Sequence, residues 1–170
     1  MKFPLTFALL LASLFSGTAQ SQDSAGLFFY GPAPTVDDIA RVAGGATVSS
    51  EQVEAVTRVT IAWPDVSVII HVSSDWPRDE QLASIRGELA ERPSRERNRP
   101  AVKQFLANLD RTTVCWGSLI DPGYDREGKV AAFLTRLIGI SGGFLFTYQS
   151  FYSSDGRRIT GLQQDPAILQ

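Results

Sequence analysis

The chain has 170 residues, with 16 basic side chains against 18 acidic ones and a net charge of −2. That near-balance argues against a global nucleic-acid or anionic-membrane binder. A single cysteine rules out an intramolecular disulfide, and a single histidine rules out a His-rich metal centre, since zinc sites draw three or four ligands from Cys, His and carboxylates.

The N-terminus reads as a secretory signal peptide over residues 1–19. Lys2 precedes a mostly apolar run, Phe3 to Phe15, and small residues at Gly17 and Ala19 suit cleavage after Ala19. The apolar core is short for a membrane span, and no later run is long enough to be one, so no transmembrane segment is expected after cleavage. Residues 20–170 then form a single globular domain of about 150 residues, long enough for a real core. Residues 20–26 and 163–170 are expected to be loose. An exported chain without disulfides must hold itself by burial, which fits a periplasm better than an extracellular space.

Leu27 to Tyr30 predicts a short strand, closed by Gly31-Pro32-Ala33-Pro34. Thr35 with Asp38 three residues on gives a helix start, and Gly44-Gly45 a helix stop. Ala46 to Ser49 is a brief strand. Val56 to Val72 is a long hairpin with a four-residue loop from Trp63 to Val66, because Pro64 cannot take positive φ. Val59, Ile61, Trp63, Val66, Val68, Ile70 and Val72 share its apolar face. Arg58, Thr60, Ser67, His71 and Ser73 form a polar one.

Asp75-Trp76-Pro77 opens a helix to about Arg92, buried along Leu82, Ile85 and Leu89. A charged linker follows, and Pro100 starts a helix with Val102, Phe105, Leu106 and Leu109 on one side. Thr112 to Ile120 is a strand. Arg126 to Gly139 is the clearest helix, with Val130, Phe133, Leu134, Leu137 and Ile138 at helical spacing. Gly142-Gly143 then leads into an aromatic strand, an Asp155-Gly156 turn and a return strand. Phe144, Phe146 and Tyr148 point one way along that strand, and Phe144 and Phe146 are expected against the helix carrying Phe133 and Leu137.

These elements predict an α+β fold: a mainly antiparallel sheet with helices packed on one face, built from two pseudo-repeated strand–helix–hairpin units. In architecture alone the duplicated order resembles the metal-dependent glyoxalase-like folds; no metal or cofactor is read from that likeness.

Chemistry is thinly marked. Cys115 and His71 would activate a thiolate if their strands met, but Cys115 has no nucleophile elbow and reads as an inert core thiol. Asp121, Asp125 and Glu127 form a candidate acidic loop. Its spacing is wrong for a calcium loop, and Asp125 suits a helix cap. The basic residues Arg86, Arg92, Arg95, Arg97, Arg99 and Lys103 are interrupted by acids and read as a solvated junction. Gly142-Gly143 precedes a strand, so it is not a phosphate loop.

The aromatic excess of the last hairpin marks Tyr148, Tyr152, Arg157 and Arg158 as candidate binding residues. The expected function is a non-catalytic binding or protein-interaction module of the cell envelope, with another envelope protein as partner and no cofactor. The alternatives are a carboxylate-dependent hydrolase-like enzyme and a structural subunit of an envelope assembly. The missing motifs weigh against an enzyme.

Overall fold

A computed structural model describes residues 22–73 and 77–161. The expected signal peptide, the Asp75-Trp76 helix opening and the tail from Leu162 lie outside them. Eight strands are formed: β1 (Asp23–Phe29), β2 (Thr47–Val53), β3 (Val56–Ala62), β4 (Ser67–Val72), β5 (Val114–Asp121), β6 (Gly143–Thr147), β7 (Ser150–Ser153) and β8 (Arg158–Thr160). They make one antiparallel sheet in the order β2-β3-β4-β5-β1-β6-β7-β8. The helices are α1 (Val36–Val42), α2 (Arg78–Glu91), α3 (Ser94–Arg97), α4 (Pro100–Asn108) and α5 (Lys129–Ser141). The fold is α+β, and none of the described helices is long and apolar enough to cross a membrane.

Local chemistry explains most element ends. Thr35 and Asp38 cap α1 reciprocally, the Thr35 hydroxyl accepting from Asp38 N at 3.1 Å and the Asp38 carboxylate from Thr35 N at 2.9 Å. The β3–β4 loop is Trp63 to Val66, closed by Trp63 N donating to Val66 O at 2.9 Å. Trp63 packs edge-on against Phe133, with ring centroids 5.7 Å apart.

Strand alternation splits the core in two. On one face Leu27, Phe29, Val59, Ile61, Val68, Ile70, Trp116 and Leu145 pack with Ile39 of α1 and with Phe133, Leu134 and Leu137 of α5. On the other, Phe28, Cys115, Phe144 and Phe151 pack with Leu82, Ile85 and Leu89 of α2 and Phe105 of α4. The expected helix layer is therefore present in α1 and α5, and α2 and α4 add a second layer on the opposite face. The reason is that β1, β5 and β6 are apolar on both sides and need covering twice.

The last hairpin differs from its sequence reading in three ways. Phe144 faces α2 and α4, not the helix of Phe133; Leu145 takes that place. The register causes this: Phe28 pairs with Phe144, and their rings stack at 4.4 Å and 6°. Phe29 sits opposite Gly143, so closely that a Cβ there would fall 1.9 Å from Phe28 O. Second, the aromatic run is two strands, not one. Tyr148 and Gln149 turn the chain at φ 47° and 59°. Third, Asp155-Gly156 sits in a three-residue loop, Ser154 to Gly156, with Ser153 N donating to Arg157 O at 2.9 Å and Gly156 at φ 80°.

Two further points bear on the sequence reading. Residues 20–26 were expected to be loose, yet β1 begins at Asp23 and lies inside the sheet between β5 and β6. Burial on both sides, with Ala25 at 2% exposure, holds it there. Element order runs strand, helix, three strands on either side of α2–α4, which does not by itself establish a repeat. The two units also join unequally, β4 lying beside β5 while β6 lies beside β1.

Candidate functional site

Two features stand out at the surface: an open cleft at one end of the sheet, and the outer side of β2. The cleft, about 410 Å³, lies between the β3–β4 loop and residues 122–127, lined by Asp65, Val66, Tyr124, Asp125, Arg126 and Glu127 among others. It gathers much of the predicted acidic loop, but each carboxylate there already has a structural partner. Asp125 accepts from Lys129 N and Val130 N, both at 2.8 Å, and so caps α5. Glu127 pairs with the Lys129 ammonium at 2.9 Å, and Lys129 reaches across to Asp65 at 3.1 Å. Asp121 ends β5 opposite Ser67, outside the cleft lining.

Acid–base work needs a free carboxylate aimed at a common point. Here Asp125 is held by the helix terminus and Glu127 is drawn outward to Lys129, 71% of its side chain remaining exposed. Among the described residues, no group of three or more His, Cys, Asp or Glu could hold a metal ion.

In the cleft wall, Tyr124 packs against the core, and burial pushes its phenol far above the ordinary range. Its backbone N–H donates to Asp23 at 3.0 Å. Tyr148 lies 5.6 Å from that ring, and its hydroxyl bonds Asp23. Burial first, and then Asp23, push the Tyr148 phenol well up. Both rings remain neutral phenols at any physiological pH.

The four predicted binding residues do not converge. Tyr148 is 38% exposed in the β6–β7 turn. Tyr152 is buried at 2% in the core facing α5, so its ring is out of a partner's reach. Arg157 and Arg158 follow the β7–β8 loop at the far end of the hairpin, Arg157 pairing with Asp155 at 3.4 Å. The basic junction is partly neutralised as well: Arg86 meets Asp110 at 2.5 Å, and Arg92 meets Glu88 at 2.5 Å.

The thiol and the imidazole do lie on neighbouring strands, with His71 opposite Gly117, two residues along from Cys115. Burial nevertheless pushes the Cys115 thiol up to about 11, with Arg78 opposing only in part. Burial, helped by Arg58, pushes His71 down. A thiolate is therefore disfavoured near neutral pH, and nucleophilic chemistry with it.

The feature missed in the sequence is the length and openness of β2. Only Ala46 to Ser49 was legible as strand, yet β2 continues to Val53, where it closes on Val56 through the two residues Glu54 and Ala55. Glu54 takes φ 56° without being glycine or asparagine, so no turn residue announced the hairpin. Six of the seven β2 residues are exposed.

The hydrogen-bond parity of β2 is fixed by its neighbours. Trp63 N bonds Val66 O, so the odd residues of β3 face β4 and the even ones face β2. Their partners Thr47, Ser49, Glu51 and Val53 therefore bond inward. The N–H and C=O groups of Val48, Ser50 and Gln52 point outward, and among the described residues no strand pairs with them.

The opposite edge is short and, among the described residues, partly covered. β8 has three residues and a register break between Phe151 and Tyr152. The Glu96 carboxylate on α3 accepts from the Thr160 hydroxyl and from Gly161 N, the latter at 3.2 Å.

No protein-family model matches this chain, and no significant match was found among curated proteins or solved structures.

Proposed function

We propose that this chain is an exported, non-catalytic protein-interaction module of the cell envelope that binds by accepting a partner's strand on β2. The supporting observation is the contrast between the two sheet edges. Natural sheets blunt exposed edges with proline, lysine, bulges, short strands or covering loops. β8 is short, bulged and tied to α3; β2 is seven residues long, regularly paired and exposed. An edge with outward N–H and C=O groups can take up an extended segment, with main-chain bonds giving affinity and alternate side chains giving specificity. Export rests on the Lys2 and Phe3–Ala19 pattern.

Two experiments test this. A photo-crosslinker placed at Ser50 in the native host should give a discrete crosslinked protein, whereas one at exposed Gln104 on α4 should not; no product from Ser50 overturns the binding reading. Mass spectrometry of the mature protein should find an N-terminus at about Gln20, and full-length protein retained in the cytoplasm overturns export.

A further inference from the structure

We infer that the strand received by β2 is β2 of a second copy of this chain, paired antiparallel about a two-fold axis at Ser50; this rests on the strand-addition reading above. A symmetric antiparallel pair requires outward-bonding residues to meet outward-bonding residues. The outward set of Val48, Ser50 and Gln52 is symmetric about Ser50. Ser50 then meets its own copy, and Val48 meets Gln52 of the second copy in both directions, so every outward donor and acceptor has a counterpart.

The side chains agree with this register. On the face opposite α5, Ser49 meets Glu51 of the second copy and Thr47 meets Val53 of the second copy. No like charges sit directly opposite, which would be unfavourable. The one charged side chain on β2, Glu51, is already compensated by Arg58 at 3.1 Å. β2 contains no lysine, proline or bulge, the common devices against self-pairing. The two molecules would form one continuous sheet. Its contact is small, so association should be reversible and visible as a concentration-dependent monomer–dimer equilibrium.

The self-opposed position supplies a selective test. Ser50 is exposed, so Ser50→Lys and Ser50→Glu should each leave the far-UV circular dichroism and urea midpoint close to wild type. In sedimentation equilibrium of the mature protein, wild type should dimerise, and each variant alone should associate at least about tenfold more weakly because like charges then face each other. An equimolar mixture of the two variants should recover a dimer containing one of each. The inference is overturned if wild type stays monomeric to about 1 mM, if both variants dimerise like wild type, or if mixing restores nothing. A Ser50 crosslink to a different protein, with monomeric wild type, would reject the second copy and leave the strand-addition reading standing.

Discussion

The half of the sheet made by β5, β1, β6 and β7 is covered on both faces, whereas among the described residues β3 and β4 bury one face, against the layer of α1 and α5. Sequence follows coverage. In the first half, apolar residues run on without alternation, as in Leu27-Phe28-Phe29, Cys115-Trp116 and Phe144-Leu145, all 3% exposed or less. In the second, Val59 and Ile61 are buried, while Arg58 and Thr60, which alternate with them, are partly exposed. The doubly covered half supplies most of the apolar burial that opposes chain entropy. The singly covered half leaves a polar face and an open edge, which suits contact with another molecule more than stability.

Substitutions in the two halves should differ in cost. The largest effect should come from Phe144→Ala in the doubly covered half. Phe144 is fully buried, stacked on Phe28 and edge-on to Phe105 at 4.8 Å. Losing it should cost about 3–5 kcal/mol in urea unfolding, the range for emptying a buried aromatic site. A near-silent change would mean that α2 and α4 do not cover this face. Phe146 is only partly buried, so Phe146→Ala should cost less.

Asp125→Ala should come next, at about 0.5–2 kcal/mol, because it removes the carboxylate that receives two backbone N–H groups at the start of α5. If it instead abolished an activity while leaving the urea midpoint unchanged, the acidic loop would be chemical rather than structural.

Cys115 reports on the doubly covered half through pH. Its folded value lies above that of the free thiol, moved from 9.0 to about 11, so the folded state holds the proton more tightly. That contribution is fully present below pH 9 and is lost as pH rises toward 11. Urea midpoints of wild type should fall over that window more steeply than those of Cys115→Ala. Native thiol labelling should be slow and become fast in denaturant; fast native labelling would mean that this face is open.

The smallest effect belongs to the open face. Thr60→Ala on β3 should stay within about 0.5 kcal/mol of wild type, as surface changes do. A cost above 1 kcal/mol would show that something covers the polar face after all.

Sequence reasoning succeeded where local chemistry decides the outcome. The Thr35–Asp38 cap, the four-residue Trp63–Val66 loop and the apolar spacing of α5 all depend on residues within a turn or two of one another. It failed where distant contacts decide. Tyr148 and Gln149 are poor residues for positive φ, and that conformation persists only when its surroundings over-determine it. Here Tyr148 is held by Asp23 and Tyr124, and Gln149 O by Arg92 at 3.0 Å. The facing of Phe144 was likewise set by β1 pairing, which alternation within one strand does not reveal.

The predicted binding residues are spread apart for the same reason. Tyr148, Tyr152, Arg157 and Arg158 are near in sequence, but the β6–β7–β8 meander sends the two ends of the set to opposite ends of the sheet. The outward parity of β2 emerges only once Trp63 N is seen to bond Val66 O two strands away.

The open β2 edge is the centre of the account, and amide hydrogen exchange read residue by residue tests it most directly. In dilute protein, Ser49 and Glu51, bonded to β3, should exchange slowly, while Val48, Ser50 and Gln52 between them should exchange fast. Raising the protein concentration should slow the second set as dimers form and leave the first set nearly unchanged. Slow exchange of all five amides in dilute protein, or fast exchange of Val48, Ser50 and Gln52 at every concentration, would contradict an open edge that accepts a second copy.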